Sequence, residues 1–75
     1  MTEVERQLQV FDTQAAREHG RRAVQGIRMI ERAVEIARAQ GAPCLPEWEL
    51  KRLALLAIAD AKIAARHARR AGIGR

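Results

Sequence analysis

Few side chains in this sequence could do chemistry, and their placement limits what that chemistry is. Apart from arginines, two lysines and scattered carboxylates, the reactive groups are His19, His67 and Cys44. A metal centre needs closely and regularly spaced ligands; no CxxC or HExxH arrangement occurs, and the two histidines lie far apart in the chain. Nucleophilic catalysis needs a hydroxyl or thiol beside a base, yet Thr2 and Thr13 are the only hydroxyls. Cys44 follows Pro43 in an expected turn and reads as an incidental small residue. There is no glycine-rich phosphate loop. The residues point to no catalytic group, no cofactor and no metal.

Three polar residues fall where apolar ones are expected. Asp60 ends the run LALLAIADA, at the edge of an apolar helix seam. An unpaired buried carboxylate is costly, so it needs a cation or water. If two helices fold back directly, Asp60 comes opposite Ile27 and Arg28, making Arg28 the expected partner and Asp60 a register-setting group. His19 lies on an apolar stripe, as a core histidine satisfied by one hydrogen bond. His67 stands among basic residues near a helix C-terminus, where positive charge suits the helix dipole.

The net charge of +5 is concentrated at one end. Lys62, Arg66, Arg69, Arg70 and Arg75 form a stretch without any acidic residue. Arg66, Arg69 and Arg70 are therefore the candidates for neutralising nucleic-acid phosphates. No interleaved aromatic is available for base stacking, and arginines here also serve the helix dipole. Nucleic-acid binding is thus the alternative reading rather than the first.

The elements that position these groups are helices. Hydrophobic residues make up 48% of the chain, but 15 residues are alanine, and Phe11 and Trp48 are the only aromatic residues apart from the histidines. Alanine favours helix while burying little area, so the chain reads as all-α with a thin core. Thr2 with Glu5 three positions later is a capping box. Val4, Leu8, Phe11, Ala15 and His19 then recur at steps of three and four, and Ala23, Ile27, Ile30, Val34 and Ala37 extend the stripe to Gly41. Helix 1 is expected over about 3–40, with Asp12–Thr13, Gly20 and Gly26 as places for a kink. Helix 2 is expected over about 46–71, starting at Pro46 in the first helical position and closing at Gly72. The 41–45 loop makes an antiparallel hairpin within one domain, 1–75, with helix 1 overhanging at residues 1–20. GIGR reads as a frayed tail, and no internal repeat stands out.

Helix 2 is apolar on more than one side, with Leu55, Leu56 and Ile63, and Trp48 close by, away from the alanine seam. One partner helix covers only one seam, so a second copy is expected to complete a four-helix bundle. Val4, Leu8, Phe11, Ala15, Trp48, Leu55, Leu56 and Ile63 are the expected partner-binding residues. In architecture alone, such a hairpin dimer resembles small plasmid and phage regulators such as the repressor-of-primer hairpin, a likeness of form that does not by itself fix function. With no signal segment and no membrane-length apolar run, the chain is expected to be cytoplasmic, homodimeric and free of membrane. Its expected function is non-enzymatic: a phage- or mobile-element-type inhibitor or modulator that binds a protein target.

Overall fold

The computed structural model, described over residues 2–72, contains two α-helices and no strand among those residues. α1 spans Glu3–Gln40 and α2 spans Glu47–Ala71, packed antiparallel as a hairpin. The all-α hairpin is as the sequence implies. Met1 and residues 73–75, including most of the expected frayed tail, lie outside the described residues.

The helix ends follow from local chemistry. Thr2 is extended, and its hydroxyl accepts a hydrogen bond from the Glu5 amide at 3.2 Å, satisfying one unpaired first-turn donor. Gly41 and Gly72 take left-handed conformations (φ 71° and 81°), which stop each helix without a Cβ clash. Pro46 is the N-cap of α2 rather than its first helical residue. Its ψ of 152° is extended, and its carbonyl accepts from the Glu49 and Leu50 amides.

α1 is unbroken. Asp12 does not restart the helix, and the Thr13 hydroxyl donates back to the Gln9 carbonyl within the same helix. At 1.5 Å per residue, 38 residues give about 57 Å, which accounts for the 58 Å long axis of the molecule. Gly20 sits mid-helix with no atom within 4 Å of the position a Cβ would take. Gly20→Ala should therefore stabilise the hairpin by about 0.5–1 kcal/mol through helix propensity alone, read as a higher urea midpoint with unchanged slope.

The seam between the helices is built from small residues. Ala23 and Ala33 of α1 and Ala57 and Ala71 of α2 are its buried apolar members. Gly26 meets Ala57 so closely that a Cβ on residue 26 would stand 3.2 Å from the Ala57 Cβ. Small side chains let the two backbones approach, at the cost of a core with little volume.

The register differs from the direct fold-back. Asp60 faces His19, not Ile27 and Arg28, so α2 lies about two turns closer to the N-terminus of α1. The loop accommodates the shift. Cys44 and Leu45 return along the end of α1, where they line a cleft with Ala33, Val34 and Ala37, and the Cys44 thiol donates to the Ala33 carbonyl at 3.4 Å. The expected N-terminal overhang is correspondingly short. The Gln9 side-chain amide donates to the Ala71 carbonyl, and Leu8 borders a pocket with Ala71 and Gly72. Only about the first turn and a half of α1 extends beyond α2. Among the described residues, no helix is long and apolar enough to cross a membrane.

Candidate functional site: a His–Asp layer and two outer faces

The shifted register brings four titratable groups into the seam. The His19 Nδ1 lies 2.9 Å from the Asp60 carboxylate, and the His67 Nδ1 lies 2.8 Å from Asp12. With the carboxylate as acceptor, the Nδ1–H tautomer of each histidine is the donor that fits this geometry. The two imidazoles stack, with centroids 6.1 Å apart and planes within 7° of parallel. Phe11 closes the layer edge-on against His67, at 5.9 Å and 80°. Asp12 is the one buried charged residue among those described, 8% exposed, while Asp60 and His19 retain about a quarter of their side-chain exposure. No buried side-chain nitrogen or oxygen among the described residues lacks a partner.

Geometry explains why four polar groups are tolerated in so thin a core. Asp12 and His19 stand seven residues apart on α1, and Asp60 and His67 stand seven apart on α2. Two helical turns return a side chain to nearly the same face, so each helix presents Asp-x6-His to the other. In antiparallel order this spacing is self-complementary: each aspartate meets the other helix's histidine. The repeated spacing is a short internal repeat that a pass for longer periods misses. It could have been found by asking which polar residues share a heptad position on both helices.

Two expectations about this layer change. Arg28 is exposed and enters no ion pair among the described residues; Asp60 instead takes His19. His67 is not a solvated dipole partner, since it is half-buried against Asp12 and Phe11. His19 is a half-buried seam histidine with one side-chain hydrogen bond, to Asp60. The layer offers pairing and alignment. No nucleophile adjoins it by hydrogen bond, because the Thr13 hydroxyl is engaged with Gln9 and the Cys44 thiol with Ala33. Among the described residues no group of three or more side chains is arranged to hold a metal ion.

The eight apolar residues expected to bind partners separate into two sets. The contact of Phe11 with His67 puts the Phe11 side of α1 on the same flank as Ile63 and Leu56, four and eleven residues before His67. Val4, Leu8 and Ala15 flank Phe11 at helical spacing. This flank carries Val4, Leu8, Phe11 and Leu56 exposed, with Ala15 and Ile63 half-buried. Trp48 and Leu55, both 66% exposed, instead lie on the back of α2, away from α1. Arg66, Arg69 and Arg70 are exposed, with the Arg69 Nε–H donating to the Ala65 carbonyl of its own helix.

No protein-family model, curated protein or solved structure matches the chain.

Proposed function

We propose that this protein is a small non-enzymatic regulator that assembles as a homodimer, completing a four-helix bundle, and acts by binding another protein. The observation that carries this reading is surplus surface. One hairpin exposes 6073 Å², whereas a compact folded monomer of this mass exposes roughly 4,600 Å². Its radius of gyration is 16.7 Å, against about 11 Å for a compact domain of this length. An excess of roughly 1,500 Å² per copy is what a subunit contributes to an obligate dimer, whose total interface exceeds about 2,000 Å². The flank holding Phe11, Leu56 and Ile63 is continuous with the seam and carries Val4, Leu8, Phe11 and Leu56 exposed. It is the natural dimer face.

Light scattering after size exclusion tests the assembly. The wild type should elute with the mass of two chains at micromolar concentration; a strictly monomeric protein sinks the reading. Leu8→Asp/Phe11→Asp places two carboxylates on the dimer flank and should shift the mass to one chain, with helicity by circular dichroism falling as the hairpin loses its second layer. A pull-down comparing wild type with this variant then asks whether target capture depends on the dimer.

A further inference from the structure

The back of α2 carries a second helical stripe, distinct from both the seam and the dimer flank. Trp48, Arg52, Leu55, Ala59, Lys62 and Arg66 follow one another at steps of four and three, and all six are exposed. That 4–3 spacing is what packs one helix along another. The stripe has two halves of different character. Its N-terminal half presents Trp48 and Leu55, each 66% exposed. Its C-terminal half presents Lys62 and Arg66, with Arg69 and Arg70 beside them.

The charge is one-sided. Glu47 is engaged with Lys51 at 3.3 Å, and Asp60, the only carboxylate in α2 beyond Glu49, is turned into the seam against His19. Arg52, Lys62, Arg66, Arg69 and Arg70 form no ion pair among the described residues. A solvated helix face usually mixes both signs, as α1 does with its glutamates among its arginines.

We infer that this stripe docks an acidic amphipathic helix of another protein, with aliphatic side chains over Trp48 and Leu55 and carboxylates against Lys62 and Arg66. The inference rests on the proposed regulatory role and names the kind of partner it takes. Exposed tryptophan and arginine are the residue types that anchor protein interfaces. Nucleic acid would meet Lys62 and Arg66 but leave Leu55 against a phosphate backbone that cannot cover it. A membrane surface would want the apolar residues along the whole strip rather than at one end.

Trp48 is the only tryptophan, so its emission reports on the stripe directly. A phage-displayed library of tryptophan-free helical peptides of about twenty residues, the length of the stripe, is selected on the full chain, and the enriched peptides are titrated by Trp48 fluorescence. The expected result is enrichment of amphipathic sequences rich in Asp and Glu, with saturable blue-shifted emission. Binding should weaken at least tenfold in Leu55→Asp and in Arg52→Glu/Lys62→Glu/Arg66→Glu, while light scattering still shows two chains for both variants. Enriched peptides without an acidic excess overturn the inference, as does binding that neither variant weakens. A larger emission change with duplex DNA or phosphatidylserine vesicles than with any peptide also overturns it. If Leu55→Asp dissociates the dimer, the stripe belongs to self-association and the inference fails while the dimeric regulator stands. If the wild type is monomeric yet binds acidic peptides as described, the dimer fails and the stripe stands.

Discussion

Gly26→Leu lowers the thermal unfolding midpoint by roughly 10–20 °C at fixed protein concentration, although leucine is the better helix former. Helix propensity favours the substitution by about 0.8 kcal/mol. Tertiary packing opposes it more strongly. A Cβ at residue 26 stands 3.2 Å from the Ala57 Cβ, with the Ala57 Cα at 3.9 Å and the Leu53 carbonyl at 4.0 Å. The remaining leucine atoms have nowhere to go without parting the helices. Overpacking of this kind costs about 1–3 kcal/mol and more where backbone must move. Separating the helices here also loosens the neighbouring alanine contacts and stretches the His19–Asp60 pair. With backbone atoms of Ala57 and Leu53 in the way the cost lies at or above the top of that range, about 3–4 kcal/mol, and the net loss of about 2–3 kcal/mol corresponds to the stated shift for a domain of this size. Gly20→Ala is the internal control, because it makes the same kind of propensity gain with open space in front of it. Differential scanning calorimetry of both variants separates the two effects; a stabilised Gly26→Leu protein would show that the close approach of the helices is not real.

Asp12→Ala is the second large effect, about 2–3 kcal/mol of stability, the cost of removing the carboxylate from a largely buried hydrogen bond and leaving the facing imidazole unpaired. It leaves His67 half-buried beside Phe11 with no acceptor for its Nδ1–H. Asp60→Ala should cost roughly 1 kcal/mol, since that pair keeps about a quarter of its exposure and water can take the place of the carboxylate. The diagnostic measurement is the cycle of Asp12→Ala, His67→Ala and the double variant by urea unfolding. A coupling of about 1–3 kcal/mol is expected, so the double variant loses clearly less than the two single ones together. The exchange Asp12→His/His67→Asp preserves the pair with its members reversed and should recover more than half of the loss. Additive single effects, or no recovery in the exchange, would mean that the two residues act separately and that something else sets the register.

Register is what these two predictions probe, and it is where reading the sequence stopped short. An alanine seam is nearly degenerate: small side chains repeating every three or four residues pack almost equally well after a slip of two turns. Choosing between alignments then falls to the few residues that differ, Asp12, His19, Asp60 and His67. The same residues make the slipped alternatives costly. With Asp60 placed opposite Ile27, both aspartates would lose their histidines inside the seam. Arg28 is the partner only of a loop that turns directly at Gly41. The candidate faces were half legible for the same reason. Helical spacing identified Val4, Leu8, Phe11, Ala15, Trp48, Leu55, Leu56 and Ile63 as surplus apolar surface, but dividing them between the flank and the back of α2 required knowing which side of the hairpin Phe11 occupies.

The amino-acid sequence by itself determined the helices: the Thr2 cap, the left-handed stops at Gly41 and Gly72, the prolines of the turn, and an alanine content that favours helix over any alternative. Those are local effects, decided within a few residues of each position. Only the tertiary structure decided how far one helix slides along the other, because the returning loop from Gly41 to Leu45 and the reciprocal Asp–His pairs act between residues distant in the chain. That slide turns the two Asp-x6-His spacings into one layer.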